Sequence, residues 1–441
     1  MTKYVSKNTI FALSSAKGKC AISVYRISGP DAFRIISSLS GLVEINPKRF
    51  YRAILVNPIS GEEIDDVMFV YFASPNSFTG EDVVEIFAHG SIAVGNALVD
   101  ALLGIPNTRY ADRGEFAKRA LLNNKMDLTT IEGFMDLINA ETSLQKKQAM
   151  GQMKGVLLEQ SSKWRSDIIK IMSLIEAFID FPDEDIPDRV LKDSEDLING
   201  IISSMDYYLN DKRKGERLRG GLRLAIYGKP NTGKSSLINF LTKRDVAIVS
   251  DIPGTTRDVI ETHLDIGGYP IILIDTAGIR DSADLIEQEG IRRAKDAASS
   301  ADIKIFMQSV DSDLEFSLDE NTINVLNKID IVKSEEIKDV SDDYIKISIK
   351  EQKGLDELME KIISFAQNLA GTGDDVMITQ ARHRSAISLS QDSLKRANLR
   401  ADLVLAAEDL RMAARQLYML IGTIDIDQIL DEIFSSFCIG K

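Results

Sequence analysis

Cysteine is nearly absent from this chain of 441 residues, which contains only Cys20 and Cys438. Two cysteines so far apart do not form the dense disulfide framework of small secreted domains, and their scarcity fits a reducing compartment. A chain of this length can bury a large hydrophobic core, so its fold needs neither a disulfide nor a metal for stability.

Long apolar runs are also missing from the sequence. No segment approaches the ~20 consecutive apolar residues that are needed to cross a bilayer. The N-terminus lacks the apolar core and the small-residue cleavage site of a signal peptide. We therefore expect a cytoplasmic protein that does not interact with membranes.

Basic residues are fewer than acidic ones, since the chain has 53 Lys and Arg and 67 Asp and Glu, and its net charge is −14. A protein that binds nucleic acid by itself usually has a basic surface. The overall charge argues against such a protein. It leaves room for a local basic patch, or for a partner that carries the positive charge.

Proline is limited to ten residues and is absent from residues 107–181 and 271–441. Because proline interrupts the interior of helices, these two stretches permit long helices. The run from 180 to 188 contains two prolines and five acidic residues, and it is read as a solvated acidic turn between helices.

The pattern along the chain predicts several domains, since the length alone suggests about three. Residues 21–27 and 67–72 have the composition of strands, whereas residues 92–103 have a helical pattern. The predicted fold class is multidomain, with an N-terminal α+β domain, an α-helical domain and an inserted α/β P-loop GTPase domain. The predicted boundaries are 1–118 for the N-terminal domain, 119–217 and 373–441 for the two parts of the helical domain, and 218–372 for the GTPase domain.

Four segments in the expected order indicate a domain that binds and hydrolyses GTP. One such motif has little weight, but four in order beside predicted strands are highly specific. They are Gly228–Ser235, Gly254–Asp258, Asp275–Gly278 and Asn327–Asp330.

Each motif predicts a role in phosphoryl transfer. Lys234 is expected to reach the β- and γ-phosphates, while Ser235 and Thr256 are expected to bind Mg²⁺. Asp275 is expected to hold Mg²⁺ through water, and Asp330 to accept from guanine, which adenine cannot match. The predicted GTP-binding residues are Asn231, Thr232, Gly233, Lys234, Ser235, Ser236, Ser250, Asp251, Ile252, Pro253, Gly254, Thr255, Thr256, Asp275, Thr276, Ala277, Gly278, Asn327, Lys328, Asp330, Ser348, Ile349 and Lys350.

Two positions depart from the common GTPase pattern. Many GTPases place a glutamine after the Asp-x-x-Gly motif to orient water, but this chain has Ile279 there. Either hydrolysis is slow or another group supplies this function. Asn231 has two readings of equal weight. Its side-chain oxygen suits a monovalent cation near the phosphates, and asparagine is also an ordinary turn residue.

The chain resembles the MnmE/TrmE family of tRNA-modification GTPases over nearly its whole length. Ordinary GTPases lack the motifs that carry this resemblance. These motifs are Arg26–Pro30, Asn76–Asp82, His89–Gly90, Gly114–Ala120, Lys125–Leu128, Ile179–Asp185 and Ile433–Lys441.

The resemblance implies a concrete activity. Members act with a flavoprotein of the MnmG/GidA type, in a heterotetramer, and add an aminomethyl-type (carboxymethylaminomethyl) group at C5 of the wobble uridine of certain tRNAs. The N-terminal domain is expected to dimerise and to bind a 5-formyltetrahydrofolate-type one-carbon donor. The two GTPase domains of the homodimer are expected to meet when K⁺ and GTP are bound. FAD enters only through the partner.

The resemblance also assigns roles to individual residues. Glu287 matches the glutamate that orients the attacking water, and it joins Lys234 as a catalytic residue. Without the resemblance, Arg26 reads as a surface charge and Glu85 as a solvated strand residue. The implied folate-binding residues are Arg26, Glu85, Lys125 and Lys441, and the implied K⁺ ligands are Asn231, Ser250, Ile252 and Thr255.

Other classes of GTPase remain as alternatives. A regulatory switch in ribosome assembly would carry an RNA-binding appendage with a basic face, whereas this chain has an α+β domain and an acidic total. A membrane-remodelling GTPase would need a basic amphipathic helix or an apolar anchor. The sequence favours the tRNA-modification reading over both.

Overall fold

The computed structural model describes eleven parts of the chain. They are residues 7–180, 187–244, 261–274, 301–311, 317, 319, 321–332, 341, 343–373, 377–422 and 440. The chain divides into two compact units, one formed by Met1–Ile131 with Ile421–Lys441 and the other by Glu132–Leu420. Each unit is described by itself, and the four predicted domain boundaries stay predictions.

The first unit is built on a six-stranded mixed sheet with the strand order β3-β4-β5-β2-β1-β6. Aromatic and β-branched residues dominate its strands, which favours the pleated conformation. Helices α1 and α2 bury their apolar residues against one face of the sheet. Its elements are β1 Thr9–Leu13, β2 Cys20–Ser28, α1 Ala32–Ser40, β3 Phe50–Val56, β4 Glu63–Phe72, β5 Val83–Gly90, α2 Ile92–Leu103, β6 Thr108–Tyr110 and α3 Glu115–Leu122.

The second unit contains long helices where proline is absent. Trp164, Ile168 and Ile171 form a buried stripe on α6 and pack with residues of α7, α11 and α12. Helix α6 ends at Asp180 and α7 begins at Asp188, and residues 181–186 of the acidic run lie outside the described residues. The helices are α4 Leu128–Asn139, α5 Ser143–Met153, α6 Val156–Asp180, α7 Asp188–Leu209, α8 Lys214–Gly220, α11 Ala381–Arg396 and α12 Leu403–Ile421.

The GTPase part of the second unit is a second six-stranded sheet with the order β12-β11-β10-β7-β9-β8. Its strands run parallel except β8, which pairs antiparallel with β9. The predicted multidomain fold class, with α+β, helical and α/β parts, is confirmed. The elements are β7 Leu222–Tyr227, α9 Lys234–Arg244, β8 Glu261–Ile266, β9 Tyr269–Ile274, β10 Ile303–Ser309, β11 Thr322–Asn327, β12 Ile345–Lys346 and α10 Leu355–Ala370.

Membrane insertion has no candidate segment in the part of the chain that the structure describes, because none of its helices is both long and apolar enough to cross a bilayer.

Candidate functional site: a nucleotide cradle and an N-terminal charged cluster

The nucleotide cradle begins where strand β7 ends. Gly228 has a φ of +147°, and a Cβ atom there would lie 2.0 Å from the carbonyl oxygen of Met307 on β10. Gly233 has a φ of +101°, and its Cβ would lie 2.3 Å from Nδ2 of Asn327. Both positions therefore require glycine. The loop can then present its backbone N–H groups at the start of α9, as phosphate binding demands.

Lys234 opens helix α9 and folds back over the loop. Its Nζ donates to the carbonyl oxygens of Gly228 at 2.9 Å and Lys229 at 2.8 Å. Burial lowers the pKa of this ammonium group. The side chain is thus held by the loop that is built to bind the nucleotide phosphates.

Ser235 and Ser236 are exposed in the first turn of α9. A hydroxyl oxygen next to phosphate oxygens is a suitable Mg²⁺ ligand, because Mg²⁺ prefers oxygen and is usually shared with the nucleotide. Within the described residues, no cluster of His, Cys, Asp or Glu forms a separate metal site. Ser235 therefore fits the predicted role, while its predicted partner Thr256 lies outside the described residues.

Asn327 connects the phosphate loop to the loop that follows β12. It is 4% exposed, and its Nδ2 donates to the carbonyl oxygen of Thr232 at 2.8 Å. Its Oδ1 accepts from the backbone N–H of Ile349 at 3.4 Å. Asn327 thereby fixes the relative positions of the phosphate-binding and base-binding loops, a bracing role that the motif alone did not indicate.

Asp330 is a half-buried acidic group on the base-binding side. It lies in the 3-10 turn Ile329–Ile331, and Ser348 Oγ donates to its Oδ1 at 2.7 Å. This hydrogen bond is the main reason that the pKa of Asp330 is lowered. An ionised carboxylate can accept both from the ring N1–H and from the exocyclic amine of guanine. Lys328, the residue before the turn, is held by Asp311 at 3.4 Å.

Asn231 lies at the tip of the phosphate loop with a φ of +60°. Asparagine tolerates this left-handed conformation, so the turn-forming reading is sufficient for the backbone. The residue is also exposed, so its side chain is accessible to a ligand. The two readings of Asn231 therefore both stand.

The described motifs meet at one edge of the GTPase sheet. The loop after β7 and the loops after β11 and β12 share the carboxyl ends of parallel strands, where nucleotide sites form in open α/β sheets. The predicted site residues that lie outside the described parts of the chain are Ser250, Asp251, Ile252, Pro253, Gly254, Thr255, Thr256, Asp275, Thr276, Ala277, Gly278, Glu287 and Lys441.

A second candidate site lies in the first unit, on the face of the sheet opposite α1 and α2. Arg26 on β2 and Glu85 on β5 are directly paired across the two strands. Arg26 Nε donates to Glu85 Oε1 at 3.0 Å. The Arg26 guanidinium also lies 5.0 Å from the ring centre of Phe78 and 5.7 Å from that of Phe116. These two aromatic rings belong to the quoted motifs, but their contact with Arg26 follows only from the fold.

Lys125 and Arg26 contact the same loop, which spans residues 74–82. Lys125 Nζ donates to the carbonyl oxygen of Pro75 at 3.0 Å, whereas Arg26 contacts Phe78 in that loop. A Cβ at Gly80 would lie 3.1 Å from Cγ of Lys125, so this glycine leaves room for the lysine stem. Arg26 and Lys125, two of the four residues that the family resemblance assigns to folate binding, therefore both contact this loop.

The chain end lies beside strand β1. Ser14 Oγ donates to the carbonyl oxygen of Gly440 at 3.0 Å. A Cβ at Gly440 would lie 2.3 Å from the carbonyl oxygen of Leu13, and the neighbouring Ala12 pairs with Arg26 across the strands. The residue that precedes Lys441 is therefore next to the strand pair that carries Arg26.

A buried ion-pair cluster supports this site, and sequence reasoning missed it. Arg119 is 2% exposed and bonds Glu81 at 2.9 Å and Glu115 at 2.9 Å. Ser28 Oγ also donates to Glu81 at 2.7 Å. All four residues occur in the quoted motifs, so the sequence contained the residues of this cluster but did not show that they contact one another. Their burial and mutual contacts indicate a structural role beneath the sheet face.

Two family models match the chain. The model described as GTP-binding protein TrmE N-terminus matches residues 9–125. The model described as MnmE helical domain matches residues 128–438.

Curated relatives match the chain from end to end. The tRNA modification GTPase MnmE of Rickettsia bellii (strain RML369-C) is 52% identical over 443 residues, which cover 98% of this chain and 100% of that protein. The protein of the same name from Rickettsia rickettsii (strain Sheila Smith) is 51% identical with the same coverage. Among solved structures, the G domain of the T. maritima FeoB iron transporter is 27% identical, covers 33% of this chain and 99% of that chain, and has a TM-score of 0.25.

Proposed function

Since the chain belongs to the MnmE/TrmE family of tRNA modification GTPases, we propose that it is a K⁺-stimulated, homodimeric member of that family. The enzyme is a GTPase in tRNA modification. With a flavoprotein of the MnmG/GidA type it adds a carboxymethylaminomethyl-type group at C5 of the wobble uridine of certain tRNAs. It works in the cytoplasm.

The main structural support for this proposal is the pair of hydrogen bonds made by the Asn327 side chain. A single side chain joins the phosphate loop, through Thr232, to the loop whose Ser348 orients Asp330. The phosphate-binding and guanine-reading elements are therefore assembled as one rigid cradle. Such preorganisation suits phosphoryl transfer, in which positioning and charge stabilisation provide most of the catalysis.

Several residues of the chain then have separate roles in GTP hydrolysis. Lys234 holds the β- and γ-phosphates, Ser235 and Thr256 bind Mg²⁺, and Glu287 orients the attacking water in place of the missing glutamine. The predicted K⁺ ligands are Asn231, Ser250, Ile252 and Thr255. When bound, Mg²⁺ and K⁺ offset the negative charge that develops on the transferred phosphoryl group.

The charged cluster of the first unit supports the proposed one-carbon site. Arg26 and Lys125 supply positive charge that suits the glutamate tail of a folate, and Glu85 supplies an acceptor for pterin donors. Phe78 and Phe116 add aromatic surface beside Arg26. Binding requires that the donor compete with the Arg26–Glu85 ion pair, whose side chains are 17% and 22% exposed.

The same face of the N-terminal sheet supports the proposed dimer. Four large apolar side chains on it are strongly exposed, which is unusual for a surface that never meets a partner. An isologous contact with a second copy would bury such a patch on both chains at once. The four residues are Ile22 at 60%, Phe50 at 61%, Ile54 at 49% and Met68 at 47% exposure.

A reconstituted reaction tests the proposal against the ribosome-assembly alternative. The chain, the flavoprotein, GTP, K⁺, a formyl-tetrahydrofolate and an amine source are incubated with unmodified tRNA, and nucleosides are analysed by mass spectrometry. The proposal predicts a C5-substituted wobble uridine that needs both proteins. Absence of this nucleoside, together with binding to ribosomal subunits, would favour the alternative.

A further inference from the structure

The turn between α7 and α8 carries a dense group of cations in an acidic protein. Residues 212–219 contain five Lys or Arg and one acidic residue, whereas the whole chain has a net charge of −14. We call Lys212, Arg213 and Lys214 the basic turn. On the basis of the proposed function, we propose that the basic turn is a surface that contacts the phosphate backbone of tRNA.

The backbone conformation of the basic turn does not explain why its residues are lysine and arginine. Lys212 has a φ of +56° and Arg213 a φ of +58°. Two consecutive left-handed residues favour glycine or asparagine, because a longer side chain is crowded by the backbone in that conformation. Lysine and arginine are therefore poor choices for the turn itself. Their positive charge is the property that this position uses.

The acidic residues beside the turn are neutralised from within the protein. Arg384 on α11 donates through Nη2 to Asp211 at 2.6 Å and through Nε to Glu216 at 2.6 Å. Its Nη1 also donates to the carbonyl oxygen of Leu209 at 2.7 Å. One half-buried cation thus compensates the two nearest carboxylates. It also fixes the turn, so that a ligand meets it already ordered.

Only part of the basic charge is used in strong internal ion pairs. Arg217 pairs with Asp302 at 3.2 Å, and Arg219 pairs with Asp136 at 2.7 Å. Arg213 is 70% exposed and lies 3.8 Å from Glu216, a carboxylate that Arg384 already engages. Charge that is exposed in this way is available for an external anion.

Helix α5 extends the basic surface. Gln148 Nε2 donates to the carbonyl oxygen of Gly215 at 3.1 Å, and Gln145 Nε2 donates to that of Arg219 at 3.1 Å. These bonds place α5 along α8, and the exposed Lys146 and Lys147 of α5 follow directly on Gln145. Helix α8 is about 10 Å long at 1.5 Å per residue. The combined surface is long enough for several phosphates.

Phosphate is the ligand chemistry that fits this surface. Exposed Lys and Arg side chains on a fixed backbone bind phosphate through charge and counterion release, without reading sequence. Such contacts would hold the tRNA, while the flavoprotein and the active centre provide selectivity. The acidic total of the chain then limits binding to this place.

The test measures the affinity of the full-length protein for unmodified tRNA by fluorescence anisotropy at several salt concentrations. The variant Lys212→Asn, Arg213→Asn, Lys214→Gln removes three charges, and asparagine keeps the left-handed turn accessible. A matched control, Lys163→Gln, Arg189→Gln, Lys192→Gln, removes three exposed charges on α6 and at the far end of α7.

The proposal predicts at least tenfold weaker tRNA binding for the turn variant at moderate salt, with the control within twofold of wild type. The slope of log affinity against log salt should fall by about 2 to 3, close to one per lost phosphate contact. GTP hydrolysis without tRNA should be unchanged in both variants.

Equal tRNA binding by the turn variant and the control would overturn the proposal. The proposal would also be overturned if the turn variant lost binding to the flavoprotein but still bound tRNA, because the basic turn would then be a binding surface for an acidic protein. A wild-type protein that binds no tRNA overturns it as well. If wild type binds tRNA through the turn but yields no modified uridine in the reconstituted reaction, the proposed function fails and this surface stands.

Discussion

His263 on strand β8 is hydrogen-bonded through Nδ1 to a carboxylate oxygen of Glu141 at 2.8 Å. Strand β8 begins at Glu261, shortly after the motif Gly254–Asp258, and β9 ends at Ile274, directly before Asp275. The β8–β9 hairpin therefore joins the two segments that respond to nucleotide in GTPases. At its turn, a Cβ on Gly268 would lie 2.8 Å from Ser143 Oγ, so the hairpin packs closely on the first residue of α5.

Breaking the His263–Glu141 contact is expected to loosen this hairpin. Both side chains are partly exposed, at 33% and 24%, so the contact is worth up to about 1 kcal/mol. In His263→Ala, amide hydrogen exchange in β8 should be up to about fivefold faster, with β10 unchanged. Adding Glu141→Gln should change little further, because the partner is already gone. Fully additive effects of the two substitutions would contradict a direct coupling.

The Ser348–Asp330 hydrogen bond is expected to control the pH dependence of GTP binding. It lowers the pKa of Asp330, so the carboxylate stays an ionised acceptor until the pH falls through that lowered value. In Ser348→Ala the pKa rises, and loss of GTP affinity on acidification should begin at a higher pH. Nucleotide titrations that are carried down through pH 3.8, the ordinary pKa of an aspartate, measure this shift. Identical pH profiles for the variant and wild type would contradict the assigned role of Ser348.

Asp330→Asn is expected to exchange the preferred base. Asparagine presents an N–H donor where guanine also has donors, so GTP should bind more weakly by about tenfold or more. Xanthosine triphosphate, which has a carbonyl oxygen in place of the amine, should bind better to the variant than to wild type. Competition titrations with both nucleotides measure the change, and unchanged preference for GTP would contradict the assignment.

Gly228→Ala is expected to destroy the nucleotide cradle, because its Cβ would lie 2.0 Å from the carbonyl oxygen of Met307. GTP binding should fall below detection. Gly200→Ala is the matched control, since no atom lies within 4 Å of its Cβ and it is inside helix α7. That control should stabilise the protein by about 0.5–1 kcal/mol. Fluorescent-nucleotide titration and thermal melting measure both, and normal GTP binding by Gly228→Ala would contradict the geometry.

Glu132 is the centre of a buried ion cluster in the helical part of the second unit. It accepts from Arg382 Nη2 at 2.7 Å and from His383 Nε2 at 2.7 Å, and it is 3% exposed. Burial disfavours its charged form, but the bonds from His383 and Arg382 prevail and hold its pKa below the usual value of 4.5. Its charged form therefore stabilises the fold above about pH 4.5, and this contribution is lost as the pH falls through the lowered pKa.

Arg382→Met should reverse this dependence and lower the free energy of unfolding by about 3–5 kcal/mol at pH 7, because only His383 then remains to offset the cost of burying the Glu132 carboxylate. The pKa of Glu132 should then rise, so that mild acidification recovers part of the stability. The control Arg400→Met breaks an exposed pair with Glu195 and should change stability far less. Urea unfolding at pH 7 and pH 5 tests this. Equal effects of the two substitutions would contradict the account.

Local structure was predictable where the pattern is periodic. The predicted strands 21–27 and 67–72 lie within β2 and β4, and the predicted helix 92–103 has the bounds of α2. These elements follow from strand-forming residues or helical spacing within a short window of sequence.

The contacts between distant residues were not predictable in the same way. Arg26 and Glu85 are 59 positions apart, and His263 and Glu141 are 122 positions apart. The family resemblance assigned Arg26 and Glu85 to a folate site, but only the strand register shows that they are hydrogen-bonded to one another. No local pattern marks His263, since its partner lies on a helix connection that the sequence does not relate to β8.

One comparison of rates tests the proposed K⁺-stimulated, dimer-dependent hydrolysis of GTP. GTP hydrolysis is measured in K⁺ buffer and in Na⁺ buffer for wild type and for Glu287→Ala. The account predicts strong stimulation by K⁺ that is lost in the variant, with GTP binding intact. Rates that depend neither on the cation nor on Glu287 would contradict it and leave a switch GTPase that awaits a separate activator.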